Sequence, residues 1–245
     1  MDPFPIQAPA FNGESRVVEA GSAFEWLRQG WGLFATNPGM WIAMTVVLLV
    51  IFFGLQIVPF VGSLAAHLLT PVLLAGLLQT SRRLESGEMP EIADLFVGFK
   101  QQTGSLVTLG VLYMAAMLVI LLIGLLLGGG SLAGGMMMGR PAGFGVAMGG
   151  MMLTMLVSLL LSVPVLMALW FAPALVLFNR MPPVDAAKAS FNACLKNLLP
   201  FIVYGLMLAV LMFFAALPVL LGFLVLIPVI AGSVYAAYRD IFVAL

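Results

Sequence analysis

The feature that most constrains this chain is the length of its uncharged apolar stretches. Ser105–Leu127 carries no ionisable group except Tyr113, and Met151–Asn179 carries none. Each exceeds the ~20 residues a helix needs to cross a hydrocarbon core of ~30 Å. A soluble domain can hide one such helix at its centre but not several. Only 8% of the 245 residues are charged, against roughly 25% in a soluble domain, so the charges cannot cover a surface facing water. Alternation at period two is absent, which disfavours a membrane barrel. The expected fold is all-α: a polytopic membrane protein with six transmembrane helices.

The apolar runs place spans near 39–58, 61–81, 105–127, 151–178, 199–217 and 219–238. Pro59 and Pro218 fall at tight hairpin turns, where a missing N–H is tolerated, and Pro164 and Pro173 should kink the fourth span. Arg16, Arg28, Arg82, Arg83, Lys100, Arg180, Lys188, Lys196 and Arg239 all fall outside the spans on one face, with Arg140 alone opposite. That places nine of the ten basic residues on one side. Basic residues mark the cytoplasmic side of an inner membrane, so both ends of the chain are expected there. Residues 1–20, with Asp2, Pro3, Pro5, Pro9, Asn12, Gly13 and Glu14, read as a disordered cytoplasmic tail. They lack the basic segment and apolar run of a cleaved signal peptide, so the first span should act as an uncleaved anchor. Residues 21–245 should form a single transmembrane domain.

Internal similarity adds detail. Phe24, Glu25, Leu27, Arg28, Trp31, Phe34 and Asn37 recur at a constant offset as Val184, Asp185, Ala187, Lys188, Phe191, Cys194 and Asn197. A weaker middle copy has Ile92, Phe96, Phe99 and Gln102. Apolar residues fall at helical spacing in each, which predicts short amphipathic helices at the membrane surface. Two spans follow each one, and the second span of each pair carries Pro71-Val72-Leu73, Pro164-Val165-Leu166 or Pro228-Val229-Ile230. The expected architecture is three parallel repeats, about 21–88, 89–181 and 182–245, each a surface helix plus two spans, related by an axis along the membrane normal. A periplasmic loop rich in glycine and methionine, 128–150, interrupts the middle one.

Zero formal net charge argues against nucleic acid as a partner, since phosphate neutralisation needs a basic excess. His67, inside the second span, is a candidate ligand contact because an ionisable group at membrane depth is a functional candidate by default. The plainer reading is an imidazole bonded to a backbone carbonyl, since no Asp, Glu, Lys or Arg lies within a span to pair with it. Asn37 and Asn197 sit at junctions between surface helix and span. There they are weaker ligand candidates than structural caps. Ser162, with Ser63, Thr70, Ser158 and Ser233, could line a path for a solute. Met136, Met137 and Met138 could offer soft thioethers to Cu(I), but no His or Cys lies nearby, and no metal or other cofactor is expected. Cys194 reads as a small hydrophobe too far from His67 for a nucleophile–base pair. Trp26, Trp31, Trp41, Tyr235 and Tyr238 fit interfacial anchors. Glu85, Glu88, Glu91 and Asp94 read as solvated charges.

The stretch Phe171-Ala172-Pro173-Ala174-Leu175, followed by Asp185, Ala189, Ser190 and Asn197, resembles the membrane domain found beside some bacterial glycerophosphoryl diester phosphodiesterases. It is closer still to stand-alone, largely uncharacterised proteobacterial relatives. They share the ending Ala231-Gly232-Ser233-Val234-Tyr235-Ala236-Ala237-Tyr238-Arg239-Asp240. The likeness covers about residues 20–245. It implies a membrane module and gives no licence to assign hydrolysis, because no length remains for the catalytic domain. The expected function is therefore non-enzymatic: a membrane scaffold or accessory protein whose partners are the lipid bilayer and another membrane protein. A transporter or channel for a neutral or amphiphilic molecule is the alternative.

Overall fold

The computed structural model describes residues 11, 13–59, 61–137 and 142–243 and all their side chains except those of 131–133, 135–137 and 142. No strand occurs among the described residues. The helices are α1 (Ser22–Thr36), α2 (Pro38–Gln56), α3 (Val61–Glu85), a 3₁₀ segment (Ile92–Phe99), α4 (Thr103–Met137), α5 (Ala142–Trp170), α6 (Ala172–Asn179), α7 (Pro183–Lys196), α8 (Leu198–Ala216) and α9 (Phe223–Tyr238). A short π-helical stretch, Arg239–Val243, follows α9. Six segments are long and apolar enough to cross a membrane: Pro38–Gln56, Val61–Glu85, Thr103–Gly130, Gly143–Asn179, Leu198–Ala216 and Phe223–Val243.

Local chemistry sets the boundaries. Asn37 separates α1 from α2, and its Oδ1 accepts from the Met40 N–H at 3.2 Å, satisfying one of the free donors at a helix start. Pro173 has no N–H to give to the carbonyl four residues earlier. The fourth span accordingly breaks at Phe171 and restarts as α6, where the Leu175 N–H finds the Phe171 carbonyl at 3.0 Å. Arg180, at φ 54°, ends α6 in a left-handed turn. The middle surface segment is shorter than its amphipathic pattern suggests, a 3₁₀ helix capped by reciprocal bonds between Glu91 and Asp94.

Central α3 packs against α2, α4, α6, α9 and the 3₁₀ segment, while α1 lies across α9 and α4 pairs with α5. Two crossings depend on glycine. A Cβ on Gly30 of α1 would stand 2.4 Å from the Val229 carbonyl of α9, and one on Gly76 of α3 would stand 2.2 Å from the Leu95 carbonyl. The core gathers at one end of the bundle, where the surface helices meet the spans. Trp26, Trp41, Phe171, Phe242, Leu95 and Ile241 are among its fully buried side chains. Toward the other end, Phe53, Leu126, Met155, Phe213 and Val219 stand exposed; in a bilayer those faces meet acyl chains.

Three expectations need correction. Residues 128–137 and 142–150 of the expected loop are helical, since α4 runs on to Met137 and α5 begins at Ala142, while 138–141 lie outside the described residues. Glycine weakens helices in water, but in hydrocarbon a backbone must bond to itself, which holds glycine-rich segments helical. Residues 13–20 of the supposed disordered tail are docked. The Arg16 N–H donates to the Ile241 carbonyl at 3.0 Å, and the Arg16 side chain pairs with Asp240. Of the aromatics expected at the interface, Trp26, Trp41, Tyr235 and Tyr238 are buried at 5% exposure or less; only Trp31, at 55%, is free to face lipid headgroups.

Candidate functional site

A cleft of about 390 Å³ opens between α3, α4, α5, α6 and α9. Ala66, His67, Thr70 and Leu74 line it from α3, Tyr113 from α4, Leu166 and Trp170 from α5, Pro173 from α6, and Ile227, Ile230 and Val234 from α9. Helices α5 and α9 both contribute to the lining, yet they are not among the closely packed pairs of the described residues. Leu74 and Leu166 remain 42% and 47% exposed, so the cleft reaches the lipid-facing surface. A second apolar cavity of about 230 Å³, between α4, α5 and α7, adjoins it through shared Tyr113 and Leu169.

The prolines set this geometry. Pro71 and Pro228 interrupt the hydrogen-bond ladders of α3 and α9 beside the cleft, and the break before Pro173 turns α6 away from α5. Prolines that free or remove backbone groups bend membrane helices where neighbours can accommodate the change. The lining is mostly aliphatic, with a few polar groups. The Thr70 hydroxyl bonds back to the Ala66 carbonyl at 2.7 Å. His67 Nδ1 lies 2.6 Å from the Ser63 carbonyl oxygen. That oxygen can only accept, so the proton sits on Nδ1. The imidazole packs at 5.3 Å, tilted, on the Tyr113 ring.

Among the candidate residues singled out from the sequence, His67 and Thr70 lie in the cleft, whereas Asn37, Asn197, Ser162 and Cys194 do not. Asn37 caps α2. Asn197 is 1% exposed; it accepts from the Val18 N–H at 2.8 Å and donates to the Arg16 carbonyl at 3.0 Å and the Ala193 carbonyl at 2.9 Å. It therefore seats residues 16–18 against α7. Ser162 donates to the Leu159 carbonyl of its own helix at 2.7 Å. The Met136 and Met137 side chains and all of Met138 lie outside the described residues. Cys194 is buried, with its thiol 3.6 Å from the Met167 carbonyl. Burial pushes the thiol up to about 12, because desolvation disfavours the thiolate.

The comparisons with known proteins agree that the chain is an integral membrane protein. A family described as "Predicted integral membrane protein (DUF2189)" matches residues 57–137. A Burkholderia thailandensis protein named "Probable inner membrane protein" is 31% identical over 229 residues, covering 89% of this chain and 82% of its own length. The chain belongs to that inner-membrane protein's family. No solved structure matches it.

In this family member, a collar of polar and aromatic contacts ties the bundle together at the charged end, and the sequence did not reveal it. Asp240 binds Arg16, and its Oδ2 accepts from the Trp26 indole N–H at 2.9 Å. Glu85 pairs with Arg239 and accepts from the Tyr235 hydroxyl at 2.8 Å. Arg83 makes two bonds to Asp94, at 2.8 and 2.9 Å, and one to Glu88 at 3.1 Å. The Tyr238 hydroxyl meets Asn179 Oδ1 at 2.6 Å, and Arg82 lies 5.1 Å above the Phe178 ring. The acidic residues read as solvated are thus largely partnered. Most of these partners are separated by tens to hundreds of positions, so no local pattern signals them. The one cue was the ending Tyr235–Asp240, where two tyrosines, an arginine and an aspartate stand close together.

Proposed function

We propose that this protein is a non-enzymatic accessory protein of the inner membrane that holds a lipid-like molecule in the cleft between α3, α4, α5, α6 and α9. The carrying observation is the cleft itself: about 390 Å³, within the range of small-molecule sites, lined mainly by aliphatic groups and reaching the lipid-facing surface at Leu74 and Leu166. A molecule dissolved in the bilayer enters such a site without leaving hydrocarbon. The burial and raised ionisation of Cys194, and its bond to a backbone carbonyl on another helix, support a packing role for that residue rather than nucleophilic chemistry.

The order of elements supports a threefold parallel repeat in this reading: α1 with α2 and α3, the 3₁₀ segment with α4 and α5–α6, and α7 with α8 and α9. The matching positions Asn37 and Asn197 both end a surface helix. The charge asymmetry supports cytoplasmic ends for the chain, with α1 and α7 offering exposed Phe24, Trp31, Val184 and Leu195 to the headgroup layer or to another membrane protein. The sequence resemblance to the phosphodiesterase-linked membrane domain fits the same role.

The test is lipid retention. Protein purified in mild detergent and reconstituted with acyl chains brominated at mid-chain should show quenching that falls when Trp170 is replaced by phenylalanine, because Trp170 lines the cleft. Native mass spectrometry should show a bound lipid that survives delipidation of the detergent belt. Identical quenching in both proteins with no retained lipid refutes the proposal. Solute flux in protein-containing liposomes, altered by Leu74→Trp, would shift the reading to transport.

A further inference from the structure

Among the described residues, three polar groups on cleft-lining side chains lack partners, namely His67 Nε2, the Tyr113 hydroxyl and the buried Trp170 indole N–H, and the stacked pair of His67 and Tyr113 describes what the cleft would hold. His67 carries its proton on Nδ1, committed to the Ser63 carbonyl. In the neutral ring Nε2 is then an acceptor, and it has no hydrogen-bond partner among the described residues. Tyr113 stacks on His67 at 5.3 Å, and its hydroxyl likewise has no partner among the described residues. Both side chains are half-buried and line the same cleft. At membrane depth no bulk water completes such groups, and leaving them unpaired costs free energy.

One ligand hydroxyl completes both. It donates to the imidazole nitrogen and accepts from the phenol, whereas an ether or ester oxygen can only accept. An ionised headgroup is excluded on charge: no Lys or Arg lines the cleft, and an unpaired charge at this depth is costly. The rest of the site calls for hydrocarbon. From Ala66 to Leu78, both lining residues, α3 runs about 18 Å along its axis at ~1.5 Å per residue, enough for much of an extended acyl chain. We infer that the cleft binds a neutral long-chain lipid with a free hydroxyl group, such as an alkanol or an acylglycerol, its hydroxyl held between His67 and Tyr113. This rests on the proposed function and specifies its ligand class.

The experiment compares three brominated probes of equal chain length, namely an alkanol, its methyl ether and the alkane, by Trp170-dependent quenching in the full chain in detergent. The alkanol should bind about tenfold more tightly than the other two. His67→Phe and Tyr113→Phe should each remove that preference, bringing the alkanol to the affinity that the same variant shows for the alkane. Equal affinities for all three probes in the unsubstituted protein would overturn the hydroxyl inference and leave the cleft as a lipid site. No Trp170-dependent quenching by any probe would overturn both. The comparison in the unsubstituted protein decides even if a variant fails to fold.

Discussion

The two ends of this bundle are stabilised in different ways. At the charged end, helices meet through specific partners: Asp240 with Arg16 and Trp26, Glu85 with Arg239 and Tyr235, Asn197 with the backbone of residues 16–18. At the other end, the distal halves of α4 and α5 face outward with leucine and methionine. They meet each other across small residues, with Gly124 beside Ser158 and Thr154. Lipid tails are as apolar as leucine, so side-chain burial gives little drive to associate there, and small residues allow close backbone packing instead. The charged end borders water, where burying aromatics and pairing charges both count. The lesson is that one chain uses soluble-protein packing at the interface and membrane packing at depth.

The sharpest way to break this comparison is to ask whether the charged end is closed. Cys194, with its thiol raised to about 12 by burial, stays protonated at pH 8, and a thiol reacts through its thiolate. Maleimide labelling of the folded protein should be at least about a hundredfold slower than after denaturation. Similar rates would show an open core.

Next in size is Gly30→Leu. Even the first carbon of the new side chain collides with the Val229 carbonyl, so α1 must leave α9. A loss of about 3 kcal/mol or more is expected, read from the unfolding midpoint in mixed micelles. Asp240→Ala should cost about 1–3 kcal/mol, because it leaves the buried Trp26 N–H unpartnered. Release of residues 13–20 should accompany it, seen as faster proteolysis near Arg16. The smallest change belongs at depth. In Gly124→Ala the new carbon meets its nearest neighbours at 3.4 Å, which is ordinary contact. Stability should shift by no more than about 0.5–1 kcal/mol, upward where helix propensity prevails. If Gly124→Ala and Gly30→Ala proved equally harmful, the contrast between the two ends would fail.

The apolar runs made six spans legible, since length and lack of charge admit few alternatives, and Pro173 marked the break in the fourth. The segment 128–150 misled because glycine-rich composition means flexibility in water and something else in lipid. Trp26 misled for another reason. An indole near a membrane surface reads the same whether it anchors in headgroups or donates to an aspartate 214 residues away. His67 could be located at membrane depth, but its pairing with Tyr113 depends on how α3 and α4 cross. The collar was illegible because its members belong to separate elements and local spacing says nothing about them.

The docking of residues 13–20 on Asp240 and Ile241 has a consequence for how the protein is made. Synthesis delivers the amino-terminal part first. Helix α1 therefore emerges when the groups that will hold its Trp26 and the preceding strap do not yet exist. Until α9 has entered the bilayer, that amphipathic segment must wait on the membrane with its inner face uncovered. Completion of the last span then acts as a latch, so an interrupted chain would be betrayed by a loose beginning, the part that quality-control proteases reach most easily.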